Sequence, residues 1–172
     1  LPKRKFLAVT KSFPIEYIND DENVDIPNFW KESYEQGIVD QLKCFRAEND
    51  TRTFGLCAPI VEKALYFEYG IAIMLENENE AEEKLIQINQ MARTAGSSGD
   101  VFRIWEIEEQ EYIVFECPSG DKKDFGDIWE AYYQEFLPQS SYKSSEKTDF
   151  EIYDEKPRDK GFCEVWIPID KG

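Results

Sequence analysis

Apolar and polar positions alternate in several short runs of this chain, and the alternation has the two-residue period of a half-buried β-strand. Phe67, Tyr69, Ile71 and Ile73 fall on one side of such a run, and Tyr66, Glu68 and Gly70 on the other. Near the C-terminus Cys163, Val165, Ile167 and Ile169 oppose Phe162, Glu164 and Trp166 in the same way. Shorter apolar runs at 6–9, 53–56, 112–115 and 149–152 predict further strands. Helical spacing occurs elsewhere. Trp30 and Tyr34 share one helical face, as do Trp129 and Tyr133. Pro27-Asn28 and Gly126-Asp127 suit helix starts, and Leu137-Pro138 suits a stop. These signals predict helices near 29–43 and 127–137. After the acidic stretch 76–80, Leu85, Ile88 and Ala92 form the stripe of a third helix, which Gly96-Ser97-Ser98-Gly99 closes.

The elements recur in order. Phe29-Trp30-Lys31-Glu32-Ser33-Tyr34 matches Ile128-Trp129-Glu130-Ala131-Tyr132-Tyr133, and Thr53-Phe54-Gly55-Leu56 matches Asp149-Phe150-Glu151-Ile152. Tyr66-Phe67-Glu68-Tyr69 matches Phe162-Cys163-Glu164-Val165 in register at Glu68 and Glu164, and Phe6-Leu7-Ala8-Val9 pairs with Tyr112-Ile113-Val114-Phe115. Each copy reads strand, helix, strand, strand. The expected fold is α+β: duplicated strand–helix–strand–strand units about a pseudo-two-fold axis, forming an antiparallel sheet with helices on one face. One domain spans 1–172, with a first repeat at about 1–75, a linker helix at about 78–96 and a second repeat at about 100–172.

Composition narrows the chemistry. The net charge of −16 repels phosphate backbones, so direct nucleic-acid binding is not expected, while cationic ligands or a basic protein partner are favoured. Aromatic residues make up 15%, which suits a ring-lined pocket as well as a core. There is no His and no CxxC pair among the four Cys, so neither a metal nor another cofactor is expected. Lys11 interrupts the first apolar run too early for a signal peptide, and no run is long enough to span a membrane. The reading is a cytoplasmic protein with reduced thiols. Strand alternation puts one Glu of each copy among aromatics on the face away from the helices. Edge-to-edge joining would bring Glu68 and Glu164 to one groove, walled by Tyr66, Trp166, Trp30, Tyr34, Trp129 and Tyr133. A carboxylate among rings attracts lipophilic cations.

The segments Tyr112-Ile113-Val114-Phe115-Glu116, Ile128-Trp129, Phe136-Leu137-Pro138, Ser141-Tyr142, Phe150-Glu151-Ile152-Tyr153 and Cys163-Glu164-Val165-Trp166-Ile167-Pro168-Ile169 are similar to the second half of GyrI-like (gyrase-inhibitor-like) domains. Phe136 stands where that family usually has Trp, and the linker helix is longer. The resemblance implies an SH2-like duplicated fold and an effector-binding module of the kind found in AraC-type and MerR-type multidrug regulators, with Glu164 as the pocket glutamate. It implies binding of a small aromatic or lipophilic, possibly cationic, molecule by a stand-alone sensing or sequestering module. One alternative is a small-molecule hydrolase using Glu164 with Tyr133. Another is an acidic protein-interaction module of the gyrase-inhibitor or DNA-mimic type.

Overall fold

The computed structural model describes residues 1–16, 24–60, 65–117, 122–158 and 161–172. Strands β1 (Arg4–Pro14), β2 (Arg52–Pro59), β3 (Tyr66–Met74), β4 (Arg103–Ile107), β5 (Glu111–Cys117), β6 (Tyr142–Ser144), β7 (Asp149–Arg158) and β8 (Gly161–Lys171) form one eight-stranded sheet. Its order is β4-β1-β3-β2-β7-β8-β5, with β6 pairing β8 beyond the end of β5, and every pairing is antiparallel. The trio β1-β3-β2 is mirrored in order by β5-β8-β7, and the two trios meet at the β2–β7 seam. That is the duplicated arrangement the sequence repeats predict.

Helices α1 (Asp25–Glu35) and α2 (Ile38–Lys43) cross the first trio, and α3 (Ala81–Thr94) follows β3. The single helix expected at 29–43 is broken at Gly37, whose φ of 75° is left-handed and disfavoured for residues with a Cβ. In the second half α4 (Lys122–Ala131) runs on through a π-helical segment, Tyr132–Phe136, into a short α5 (Leu137–Gln139). Asn89 of α3 accepts from the backbone N–H groups of Val101 and Phe102 at 3.1 and 2.9 Å and donates to the Phe102 carbonyl at 3.2 Å. This lashes the linker helix to the segment entering β4. Neither β4 nor β6 was legible as a strand, and β4 pairs with β1 of the first trio rather than with the second repeat.

The two faces of the sheet are covered differently. Phe29, Val39, Leu42 and Ile88 from the helices pack on Leu7, Val9, Phe67, Tyr69, Ile71 and Ile73. In the second half Trp129, Ile128 and Phe125 pack on Cys163, Val165 and Ile167. The other face carries a cluster drawn from strands alone, including Phe6, Phe54, Leu56, Trp105, Phe150 and Ile152, all buried. Rings lean across intervening strands to seal it, as Phe6 does on Phe54 and Tyr112 on Phe150, with centroids 5.1 and 5.2 Å apart. Thr148 closes one side, accepting from Trp105 Nε1 at 3.3 Å through its hydroxyl and from the Tyr112 hydroxyl at 2.8 Å through its carbonyl. No helix among the described residues is long and apolar enough to cross a membrane.

Candidate functional site

The sequence match of β2 with β7 sets the pseudo-two-fold axis, and it runs through a single ladder pair, Gly55 with Glu151. Alternation along β7 turns Phe150 and Ile152 into the strand-only cluster and points Asp149, Glu151 and Tyr153 toward the helices. Glu151 therefore stands at the centre of the helix-covered face, between α1 of one half and α4 of the other.

Its carboxylate is held by two tyrosines. The Tyr69 hydroxyl donates to Oε1 at 3.0 Å and the Tyr153 hydroxyl to the same oxygen at 3.2 Å. Trp30 Nε1 donates to the Tyr69 oxygen at 2.9 Å, so a relay runs from α1 through β3 to β7. Gly55 makes the relay possible. A Cβ there would sit 2.1 Å from Tyr69 Oη and 3.0 Å from Glu151 Oε1. The first half lacks the side chain at its axis position, and the second half's carboxylate uses the space.

Burial pushes the Glu151 carboxyl up to about 7, against the lowering effect of its tyrosine hydrogen bonds. Burial raises Asp149 well above the usual carboxylate range, and the neighbouring Glu151 charge adds to it. The Cys57 thiol, paired in register with Asp149, is raised by burial and then by both carboxylates. No Lys or Arg among the described residues forms an ion pair with Glu151 or Asp149. Glu155, two positions beyond Tyr153, differs: Lys43 Nζ meets it at 2.6 Å and Arg46 at 3.4 Å.

Aromatic rings frame this centre. Tyr153 packs edge-on against Trp30 at 5.3 Å and against Phe125 at 6.5 Å. Trp30 stacks with Tyr34 at 6.2 Å and 27°, and Trp129 with Tyr133 at 6.0 Å and 27°. The two halves thus repeat one Trp–Tyr geometry. Tyr34 is 43% exposed and Tyr133 54%, which places both tyrosines at the rim rather than in the core.

The structure divides the residues expected to share a groove. Trp30, Tyr34, Trp129 and Tyr133 lie on the helix side. Glu68, Glu164, Tyr66 and Trp166 lie on the strands with side chains directed to the opposite face. There Trp166 stacks on Phe150 at 5.3 Å as part of the strand-only packing, and Tyr66 is exposed at the start of β3. Glu68 meets Arg103 of the edge strand β4 at 2.5 Å. Glu164 is paired in register with Glu116. The side chain of Phe162 lies outside the described residues. Nor are Glu68 and Glu164 equivalent. Cys57 pairs with Tyr69, and Tyr153, the counterpart of Cys57, pairs with Cys163. Gly70 is therefore the counterpart of Glu164. On the open face these positions border an apolar layer in which large rings of both trios pack together. Glu151 was not among the residues expected at a site, although its signal was present: an acid between Phe150 and Ile152, aligned with a glycine in the other copy.

Residues 94–169 match the family model described as Cass2, integron-associated effector-binding protein. No curated protein matches the chain. Among solved structures, SAV2435 bound to tetraphenylphosphonium superposes with a TM-score of 0.68 at 16% identity, covering 99% of this chain and 90% of that one. An integron cassette protein from the mobile metagenome of Vibrio cholerae gives 0.61 at 13% identity, covering 99% and 92%. The C-terminal domain of EcmrR gives 0.52 at 11% identity, covering 100% and 94%. Over residues 94–169 this protein is thus similar in sequence to integron-associated effector-binding proteins, and over the whole chain it shares the fold of SAV2435 and of the Vibrio cholerae cassette protein.

Proposed function

We propose that the protein binds a small lipophilic cation in the groove between α1 and α4, with Glu151 as the counter-charge. One observation carries this reading. A carboxylate sits on the axis of the molecule under a frame of aromatic rings, and among the described residues only neutral hydroxyls bond to it. An ionised carboxylate removed from water without a cation is costly, and a bound cation removes that cost. Ring faces add attraction for delocalised or quaternary cations. The similar structure that holds tetraphenylphosphonium supports the same ligand class.

Tetraphenylphosphonium titrated by calorimetry at pH 8 tests the reading. Binding is expected, and Glu151→Gln, which keeps the shape and removes the charge, is expected to weaken it by roughly 1–3 kcal/mol. Equal affinity of the two proteins for the cation would falsify the assignment of Glu151. The hydrolase alternative would transfer to Glu151 as base with Tyr69 or Tyr153 as proton donor. Release of product from a neutral ester or epoxide, abolished in Glu151→Gln, would favour it instead.

A further inference from the structure

The helix-facing positions of β7 carry acids at Asp149, Glu151 and Glu155. The protein's own cations neutralise one of them, since Lys43 and Arg46 both reach Glu155. Asp149 and Glu151 have no such partner among the described residues. They are two positions apart on one strand face, so their backbone positions are about 7 Å apart. Both are only partly exposed, and on the neighbouring strand Cys57 pairs in register with Asp149 and Gly55 with Glu151.

The halves differ here in a way that bears on the ligand. The counterpart of Tyr153 in the first half is Cys57, and the counterpart of Asp149 is Thr53. On the Trp30 side the floor is thus Thr53 and the bulky ring of Tyr153. On the other side it is Cys57 and an acid. The second side combines smaller side chains with a second negative charge.

We infer that Asp149 is a second anchor of the same groove and makes it selective for dicationic aromatic ligands, with charges about 7 Å apart, over monocations. This rests on the binding reading given above. One cation would meet Glu151 on the axis, and the second would meet Asp149 beside Cys57. A monocation would leave the second buried carboxylate either ionised without a partner or holding a proton, and both lower its affinity relative to a dication.

The test uses two compounds of one shape, 1,4-bis(aminomethyl)benzene and 4-methylbenzylamine, with tetraphenylphosphonium as a reference monocation. Calorimetric titrations are run at pH 8 on the full chain, on Asp149→Asn, and on Asp149→Thr, which installs the residue of the first half. The diamine is expected to bind the unaltered protein at least tenfold tighter than the monoamine. Both Asp149 variants should bring that ratio close to one, with the loss of affinity falling on the diamine. A ratio near one in the unaltered protein overturns the inference, as does a preference that survives in both variants. If tetraphenylphosphonium binds and depends on Glu151 while the ratio is near one, only the dication inference fails. If it does not bind at all, the binding reading fails, and this inference with it.

Discussion

The first and second halves of the sheet share strand order, antiparallel pairing and a stacked Trp–Tyr pair on the covering helix. They differ where they meet. The first half brings Gly55 to the axis and a tyrosine beside it; the second brings Glu151, with Cys163 where the first has Tyr69. Scaffold is thus what the halves have in common, and the candidate chemistry lies where they diverge. A symmetric pair of glutamates at the axis would repel, and a symmetric pair of glycines would carry no charge. One of each gives a single carboxylate with room for its hydrogen bonds.

The largest expected effect comes from removing the charge that distinguishes the halves. Burial pushes the folded Glu151 carboxyl up to about 7, above the ordinary value of about 4.5. Its neutral form therefore stabilises the fold fully below about 4.5, and that stabilisation is lost as pH rises toward about 7. Glu151→Gln should match the original protein at pH 4.5 and exceed it at pH 8 by roughly 3 kcal/mol at most. Urea unfolding at the two pH values reads this directly, and no gain at pH 8 would mean the carboxylate is well solvated. For a monocation, affinity should fall as pH drops below about 7 in the original protein, levelling off near that of Glu151→Gln, while the variant changes much less.

Filling the glycine attacks the comparison from the other side. Gly55→Val places its first carbon inside the space of the Tyr69 hydroxyl. It should cost about 2 kcal/mol in denaturant unfolding and abolish cation binding, since Tyr69 must leave Glu151. A stable variant that still binds would show that the hydrogen bond is dispensable. Tyr69→Phe is milder. It leaves Trp30 Nε1 and Glu151 each short of a partner, costs roughly 1 kcal/mol or a little more, and raises the Glu151 titration midpoint further, because a bond that lowers it is gone. Titration followed by carboxyl infrared absorption checks the direction. Glu68→Gln should matter least. Its ion pair with Arg103 is largely exposed and contributes under about 1 kcal/mol, with no effect on ligand affinity.

Much of the fold could be read from the chain because two periods were clean. The alternation in β3 and β8 assigns every described side chain there to the correct face, and the Trp–Tyr spacing finds both covering helices. Edge strands were harder. Arg103–Ile107 is short, and nothing local shows that it will pair with β1 across the linker. The site was half legible. Its aromatic wall followed from helix spacing, but its acid did not follow from strand alternation alone. Glu68 and Glu164 are displayed among rings in the sequence, yet those rings pack with one another. Glu151 is less conspicuous in the sequence, and only the seam between the halves gives it its position.

That seam also governs how the chain assembles. Every other pairing on the main path of the sheet lies within one trio or, over a comparable sequence distance, joins β1 to β4, whereas the β2–β7 pairing joins the two trios across distant parts of the chain. Closing so long a loop is entropically slow to be repaid, so each trio should order before the seam zips. A ligand seated on the axis would touch both trios and act as a clasp on the step that forms last. Its signature would be slowed hydrogen exchange at the backbone amides of residues 53–57 and 149–153, with little change at the outer ladders of the sheet.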